Sequence, residues 1–461
     1  MGTVEIPDGK LYGACTQRTL NTCSVGNHRV PMGLISAVIV IKEACAVANN
    51  ALGKLPDYAK DAILKATALL KTGKFDENFT LGIFQNGAGT STNMNVNEVI
   101  ASLARMKFNA TVHPNDDVNM SQSTNDVVSS AVNVSCSIAI RDNLIAALRT
   151  MLAILSSHAE EWKNLVKIGR THLRDAVPMT LGQEFSAYAR QIEKCVERCH
   201  RALEILEEIP IGGSVIGTGL NVPHGFADIA IGEINGATGL HMVAAKNKFC
   251  EQASKDSLVE LSGIINSITA ALSKMASDLK ILSSGPNAAI GELELPATQE
   301  GSSIMPGKIN PAMCEMVLQV CHYVNGMMLV VLLGAKNGEL QLNTALSVTS
   351  YALLDSIDLL ADCANNFSKY CLSGLRPNEK ILGENAKKSL MLITAAAELV
   401  GYESAADVVK EAIATHSSVA DILRKRKLVD GEVVDAICDP NSMVHAPSSA
   451  ADMSGICEKF P

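Results

Sequence analysis

Four stretches of this 461-residue chain gather side chains that could bind an anion or move a proton. The densest is Gly301-Ser302-Ser303-Ile304-Met305-Pro306-Gly307-Lys308-Ile309-Asn310-Pro311. A glycine followed by two serines lets backbone N–H groups and hydroxyls converge on one point. Lys308 and Asn310 follow within a turn bracketed by two prolines. A flap of this kind suits closure over an anionic substrate. A second stretch, Gly87-Ala88-Gly89-Thr90-Ser91-Thr92-Asn93-Met94-Asn95, directs hydroxyls and amides at one place. It is not a dinucleotide fingerprint, because the third glycine is missing and no strand-helix unit follows. A helix N-cap explains Thr90 to Asn95 equally well. The third stretch runs from His113 through Asn115 and Asp116 to Asn119, then Gln122-Ser123-Thr124-Asn125-Asp126. Its small donors suit a carboxylate or phosphate, and the same Asn and Asp residues suit a plain turn. The fourth, Gly169-Arg170-Thr171-His172-Leu173-Arg174-Asp175-Ala176, sets a histidine in a polar break.

These stretches lie between helices. The first thirty residues read as irregular, and a helical pattern begins near Met32. A short helix is expected from about Asn95 to Met106. From Val127 to about Glu208 the pattern is helical with one interruption near Gly169. Leu258, Leu261, Ile264, Ile265, Ile268, Leu272, Met275 and Leu279 recur at spacings of three and four, which predicts a helix from Asp256 to Leu282. Ser284-Gly285-Pro286 stops it. Further helices fit Ala312 to Leu333 and Leu346 to Leu372. Long helices in succession with little strand pattern imply a mainly α fold around a long helical bundle. After Arg376-Pro377-Asn378 the chain reads as shorter helices and a polar tail. The expected division is residues 1–126, 127–376 and 377–461. Ala-rich helices with apolar residues on more than one side predict a homo-oligomer.

Composition narrows the class. The chain is 47% hydrophobic but 4% aromatic, and its net charge is -9. No basic run interleaves with aromatics, so a nucleic-acid partner is not expected. No apolar run reaches the roughly 18 residues of a membrane span. Met32 to Ile41 and Val324 to Ala335 read as buried helix. The N-terminus lacks the apolar segment of a signal peptide, and a cytoplasmic protein is expected. Thirteen scattered cysteines suit a reducing compartment. Cys195 and Cys199 with His200 could be read as a metal half-site, or as ordinary helix residues.

All four stretches, in this order, resemble class II fumarase and its relative aspartate ammonia-lyase, in the fumarase/aspartase superfamily. The resemblance runs from Leu11-Tyr12-Gly13-Ala14 to Gly401-Tyr402-Glu403, and the Gly301 to Pro311 loop is the superfamily's signature. It implies a three-domain fold whose central bundle forms a twenty-helix core in a homotetramer, with each active site drawn from three chains. It implies reversible anti addition of water or ammonia to fumarate, without cofactor or metal. By the same resemblance Ser302 is the base, and Lys308 and Asn310 hold the carboxylate that gains charge. Thr90, Ser123, Thr124, Asn125, Thr171 and Ser303 complete the dicarboxylate cradle. His172 takes the leaving group, with Glu315 as its hydrogen-bond partner. His113, Asn115 and Asp116 form a second anion site.

Segments such as Asn247-Lys248-Phe249, Lys336-Asn337-Gly338 and Ser389 to Thr394 look more like fumarase. Gln122 to Asn125 and Glu339 to Asn343 lean toward aspartase. Fumarate hydratase is the expected activity and aspartate ammonia-lyase the alternative. Ala88, Ala110, Val128-Ser129-Ser130, Arg174 and Cys250 depart from the usual fumarase pattern.

Overall fold

The computed structural model describes residues 2–444. Residues 445–461, which include most of the expected polar tail, lie outside the described residues. The chain forms two compact units. Residues 2–149, 194–273 and 318–365 make the first, and 150–193, 274–317 and 366–444 the second.

The helices in chain order are α1 (Ala14–Thr22), α2 (Met32–Ala51), α3 (Asp57–Leu70), α4 (Thr90–Phe108), α5 (Thr124–Ala139), α6 (Ile145–Glu161), α7 (Leu181–Ile205), α8 (Phe226–Thr238), α9 (Lys248–Ala253), α10 (Asp256–Leu282), α11 (Ala312–Ala335), α12 (Leu346–Tyr370), α13 (Glu379–Lys388), α14 (Ile393–Val400), α15 (Tyr402–Thr415), α16 (Val419–Arg426) and α17 (Gly431–Ile437). A π-helical turn, Ile140–Leu144, joins α5 to α6. The α10 helix occupies the span that its apolar spacing predicts, and Leu258, Leu261, Ile265, Ile268, Leu272, Met275 and Leu279 are all buried.

In the first unit α2 packs against α3, α5 and α8, and α4 against α1, α3 and α5. The α1 helix lies in the stretch expected to be irregular. Its N-cap, Gly13, has no side chain to satisfy the free N–H groups. Glu98 of α4 supplies the acceptor instead. It receives hydrogen bonds from the backbone N–H groups of Gly13 (2.9 Å), Cys15 (2.8 Å) and Thr16 (3.1 Å) and from the Thr16 hydroxyl (2.7 Å). A carboxylate at this end also meets the positive pole of the helix dipole.

The α2 and α11 helices are longer than the apolar runs read from the sequence. Both are long and apolar enough to cross a membrane by length and composition, which corrects the run-length reading. Two-thirds of the most apolar window of α2 (67%) is buried, but only 28% of that of α11. Tyr323, Leu329 and Leu333 of α11 are exposed.

In the second unit the interruption near Gly169 is an antiparallel hairpin rather than a break between helices. Its strands are β1 (Val166–Thr171) and β2 (Arg174–Thr180), with an irregularity between Ile168 and Arg170. Glu292, fully buried, ties β1 down. It receives Arg170 Nη1 at 3.0 Å and Nη2 at 2.6 Å, Asn385 Nδ2 at 3.1 Å, and faces Lys167 Nζ at 3.4 Å. Lys167 also donates to Glu184 at 2.8 Å. Burial pushes the Glu292 carboxyl up, but Arg170, Lys167 and Asn385 together hold it below the usual carboxylate range. The α14 to α17 helices close a small core of their own around Leu392, Ile393, Ala396, Val408, Ile422, Leu423 and Val434.

A buried charge left without its partner is costly. Replacing Glu292 by Gln takes the countercharge from Arg170 and leaves Lys167 with Glu184 alone, while keeping side-chain volume. Urea unfolding of the Glu292→Gln protein is expected to show a loss of about 3–5 kcal/mol. An unchanged midpoint would show that the cluster is not what anchors the hairpin.

Candidate active site

The candidate residues fall into two clusters, one in each unit. In the first unit, Thr90 opens α4 and Thr124 opens α5. Gly87 makes the approach to α4 possible. A side-chain Cβ there would sit 1.5 Å from the Thr344 carbonyl oxygen, so no other residue fits. The Gly87 carbonyl accepts from the Ser347 N–H at 3.2 Å. The expected helix from Asn95 thus begins five residues earlier, at Thr90. Its polar first turn is held by neighbours: the Thr92 N–H and hydroxyl both donate to Gln85 Oε1, at 3.0 and 2.9 Å.

Ser123 caps α5 in a reciprocal box with Asp126. Asp126 is fully buried and accepts from the backbone N–H groups of Ser123 (2.9 Å), Gly212 (3.0 Å) and Ser214 (2.9 Å). Burial pushes its carboxyl up to about 6, against the pull of these donors and of Lys42. Lys42, also fully buried, is pushed down to about 7 by burial, opposed by Cys45 and Asp126. Asn125 Nδ2 donates to the Val215 carbonyl at 2.7 Å, and Asn93 Nδ2 to Thr124 Oγ1 at 3.1 Å. Ser123, Thr124 and Asn125 are half-buried, so one side of each is open to solvent.

The His113 turn satisfies much of its own polarity. Asp117 Oδ2 accepts from the His113 N–H at 2.7 Å, and His113 Nδ1 accepts from the Asp116 N–H at 3.1 Å. Asn115 and Asp116 line a cleft of about 770 Å³ with Lys54, Gln122, Ser214 and Leu220. Sequence reasoning missed the 212–223 loop that forms one wall. Its signal was present in Gly212, Gly213, Gly217 and Gly219, four glycines within eight residues.

In the second unit, Thr171 ends β1, and His172 and Leu173 form the turn of the hairpin. Both have positive φ, 56° and 58°. A two-residue hairpin turn of the primed type requires this at both central positions and normally recruits Asn and Gly. Histidine and leucine there carry backbone strain, which is found where a side chain must be displayed in a set direction. His172 is exposed.

The signature loop is closed on itself. The Gly301 N–H donates to the Lys308 carbonyl at 3.0 Å, and Asn310 Nδ2 donates to the Gly301 carbonyl at 2.6 Å. A Cβ on Gly301 would lie 2.2 Å from the Lys308 carbonyl oxygen. Within this closed loop, Ser302 Oγ accepts two backbone N–H groups, from Ile304 at 3.2 Å and Met305 at 2.9 Å. Ser303 and Lys308 are exposed, and Glu315 is half-buried in the first turn of α11. Among the described residues, no hydrogen bond or ion pair joins His172 to Glu315, or Thr171 and His172 to Ser302, Lys308 or Asn310. Nor do His, Cys, Asp and Glu side chains gather in threes as metal ligands would. Cys195 and Cys199 are buried free thiols, and His200 meets Arg149 at 3.3 Å.

The sequence matches the family described as Lyase over residues 2–326, and Fumarase C C-terminus over residues 392–445. Fumarate hydratase class II 1 of Pseudomonas aeruginosa is 40% identical over 452 residues, 97% of each chain. Fumarate hydratase class II of Chlamydia caviae is 41% identical over 450 residues, 96% of this chain and 98% of its own. Among solved structures, class II fumarase from Schistosoma mansoni aligns with a TM-score of 0.93 at 34% identity, covering 97% of this chain and 98% of that one. The fumarate lyase:delta crystallin of Brucella melitensis aligns at 0.92 with 37% identity, covering 96% and 97%. With both family segments matched and relatives of this similarity along nearly the whole chain, the protein belongs to the lyase family, in its class II fumarase branch.

Proposed function

We propose that the protein is a fumarate hydratase, interconverting fumarate and (S)-malate. The observation that carries this is the pair of backbone N–H groups on Ser302 Oγ. A serine hydroxyl is a poor base, and fixed N–H donors aimed at its oxygen stabilise the alkoxide that would make it one. In the malate direction Ser302 takes the proton next to a carboxylate. The electron pair moves onto that carboxylate, and hydroxide leaves from the neighbouring carbon with a second proton, as water. That carboxylate, doubly charged in the intermediate, needs cationic and N–H donors. Lys308, exposed on the same loop, and Asn310 fill that role. Thr90, Ser123, Thr124, Asn125, Thr171 and Ser303 bind the dicarboxylate, and His172, paired with Glu315, receives the leaving water. His113, Asn115 and Asp116 form a second anion site at the cleft.

The same reading makes the protein a homotetramer whose sites each draw on three chains. That would bring together residues, His172 and Glu315 among them, that no hydrogen bond joins among the described residues of one chain. The poorly buried apolar face of α11 supports self-association. Domains at 1–126, 127–376 and 377–461, a cytoplasmic location and a role in the tricarboxylic acid cycle belong to the same proposal. Fumarate hydratase names among the relatives favour water over ammonia as the leaving group.

Turnover of malate and of aspartate, each followed by the ultraviolet absorbance of fumarate, separates the two activities. Malate is expected to react and aspartate not, and activity on aspartate alone would contradict the proposal. Lys308→Ala is expected to raise KM and lower kcat together, because the ammonium meets the carboxylate in both ground and transition states. Unchanged kinetics would remove Lys308 from the site.

A further inference from the structure

Lys42 lies in the buried face of α2, and its ammonium can only donate hydrogen bonds. It gives one to Asn119 Oδ1 at 2.7 Å and one to Gln122 Oε1 at 2.9 Å. An amide set against an ammonium must present its oxygen. Asn119 is therefore held in one orientation, with its Nδ2 donating to the Gln122 carbonyl at 3.2 Å. With that oxygen fixed, the amides facing it must present nitrogen. Asn93 Nδ2 does so at 3.1 Å and Asn97 Nδ2 at 3.2 Å. Asn93 Nδ2 has a second acceptor, Thr124 Oγ1 at 3.1 Å. A threonine hydroxyl has one hydrogen. Because Asn93 donates to its oxygen, that hydrogen is free to point away from the core. Thr124 is half-buried at the first position of α5, where the helix dipole favours an anion.

We propose that Lys42, acting through Asn119 and Asn93, is a positioning residue that fixes the Thr124 hydroxyl as a donor toward a substrate carboxylate. With Lys42 protonated and donating to both amide oxygens, the direction of every bond from Lys42 to Thr124 follows. The chain thereby selects ionised oxygen at this position and disfavours an amide nitrogen or an ammonium. The inference deepens the fumarate hydratase reading and rests on it.

The test is a double-mutant cycle. Asn93→Asp keeps side-chain shape but turns the group facing Thr124 into an acceptor, drawing the hydroxyl hydrogen inward. In the Thr124 background, Asn93→Asp is expected to raise KM for malate about tenfold with little change in kcat, as loss of one charge-assisted hydrogen bond implies. In the Thr124→Val background the same change is expected to leave KM where Thr124→Val alone puts it. Equal KM effects in the two backgrounds would overturn the inference, because a general disturbance of the core does not depend on the hydroxyl. If Asn93→Asp does not fold, Lys42→Met in the same two backgrounds asks the same question. Thr124→Ser keeps the hydroxyl that accepts from Asn93, and Thr124→Val removes that one acceptor while leaving Lys42, Asn119 and Asn93 in place. The first is expected to keep KM within about twofold and the second to raise it about tenfold. An unchanged KM in Thr124→Val would also overturn the inference. Absence of malate turnover in the unaltered protein defeats the hydratase reading itself. Normal turnover with additive effects defeats only the role of Lys42.

Discussion

A cation taken out of water must find acceptors, and that constraint orders the polar interior of both units. Desolvating a charge costs several kcal/mol unless the geometry repays it. In the first unit Lys42 finds two amide oxygens, which offset only part of the cost of its burial, and those amides then have no freedom left. In the second, Arg170 and Lys167 repay it on Glu292, and β1 is fixed as a consequence. Each arrangement lies a few residues from a group proposed to meet substrate: Asn119 and Gln122 before Thr124, Arg170 before Thr171 and His172. In both places the neighbours of the buried cation are held in one orientation.

The signature loop meets the same demand with backbone instead of charge. Gly301 permits a contact with the Lys308 carbonyl that any side chain would block, and Asn310 closes the ring from the other side. The Ile304 and Met305 N–H groups are then left to converge on one oxygen, Ser302 Oγ. Helix α5 concentrates donors by another route, since Asp126 fixes the Ser123 cap and the 212–214 backbone together. Asn310 is proposed to serve both ends. Its Nδ2 hydrogen bond maintains the loop, while the resemblance assigns it to the carboxylate.

Much of this was legible in the sequence, and the remainder is tertiary. The α10 helix could be read from Asp256 to Leu282 because its apolar period is unbroken. Helix α1 could not, because the acceptor that caps it is Glu98, more than eighty residues away. The β1-β2 hairpin was hidden by Gly169 inside one strand and Pro178 inside the other, residues that argue against strands. His172 and Leu173 disguised its turn further, since neither is the residue that positive φ favours. Ser302, Lys308 and Asn310 could be singled out because they share one short loop. Lys42, Asn93 and Asn119 could not be assembled, because they lie on separate segments and meet only in the fold. One signal did exist: Lys42 and Glu43 are the two charged residues in the otherwise apolar stretch from Ala37 to Val47, and a lysine on its buried face must have a buried partner.

The central claim is that Ser302, held by two N–H groups, removes the proton next to a carboxylate. Its most direct test is malate turnover by Ser302→Ala, with oligomeric state and thermal unfolding measured on the same preparation. The account predicts that assembly and unfolding match the unaltered protein while turnover is abolished. Turnover at the unaltered rate by a correctly assembled Ser302→Ala protein would contradict it.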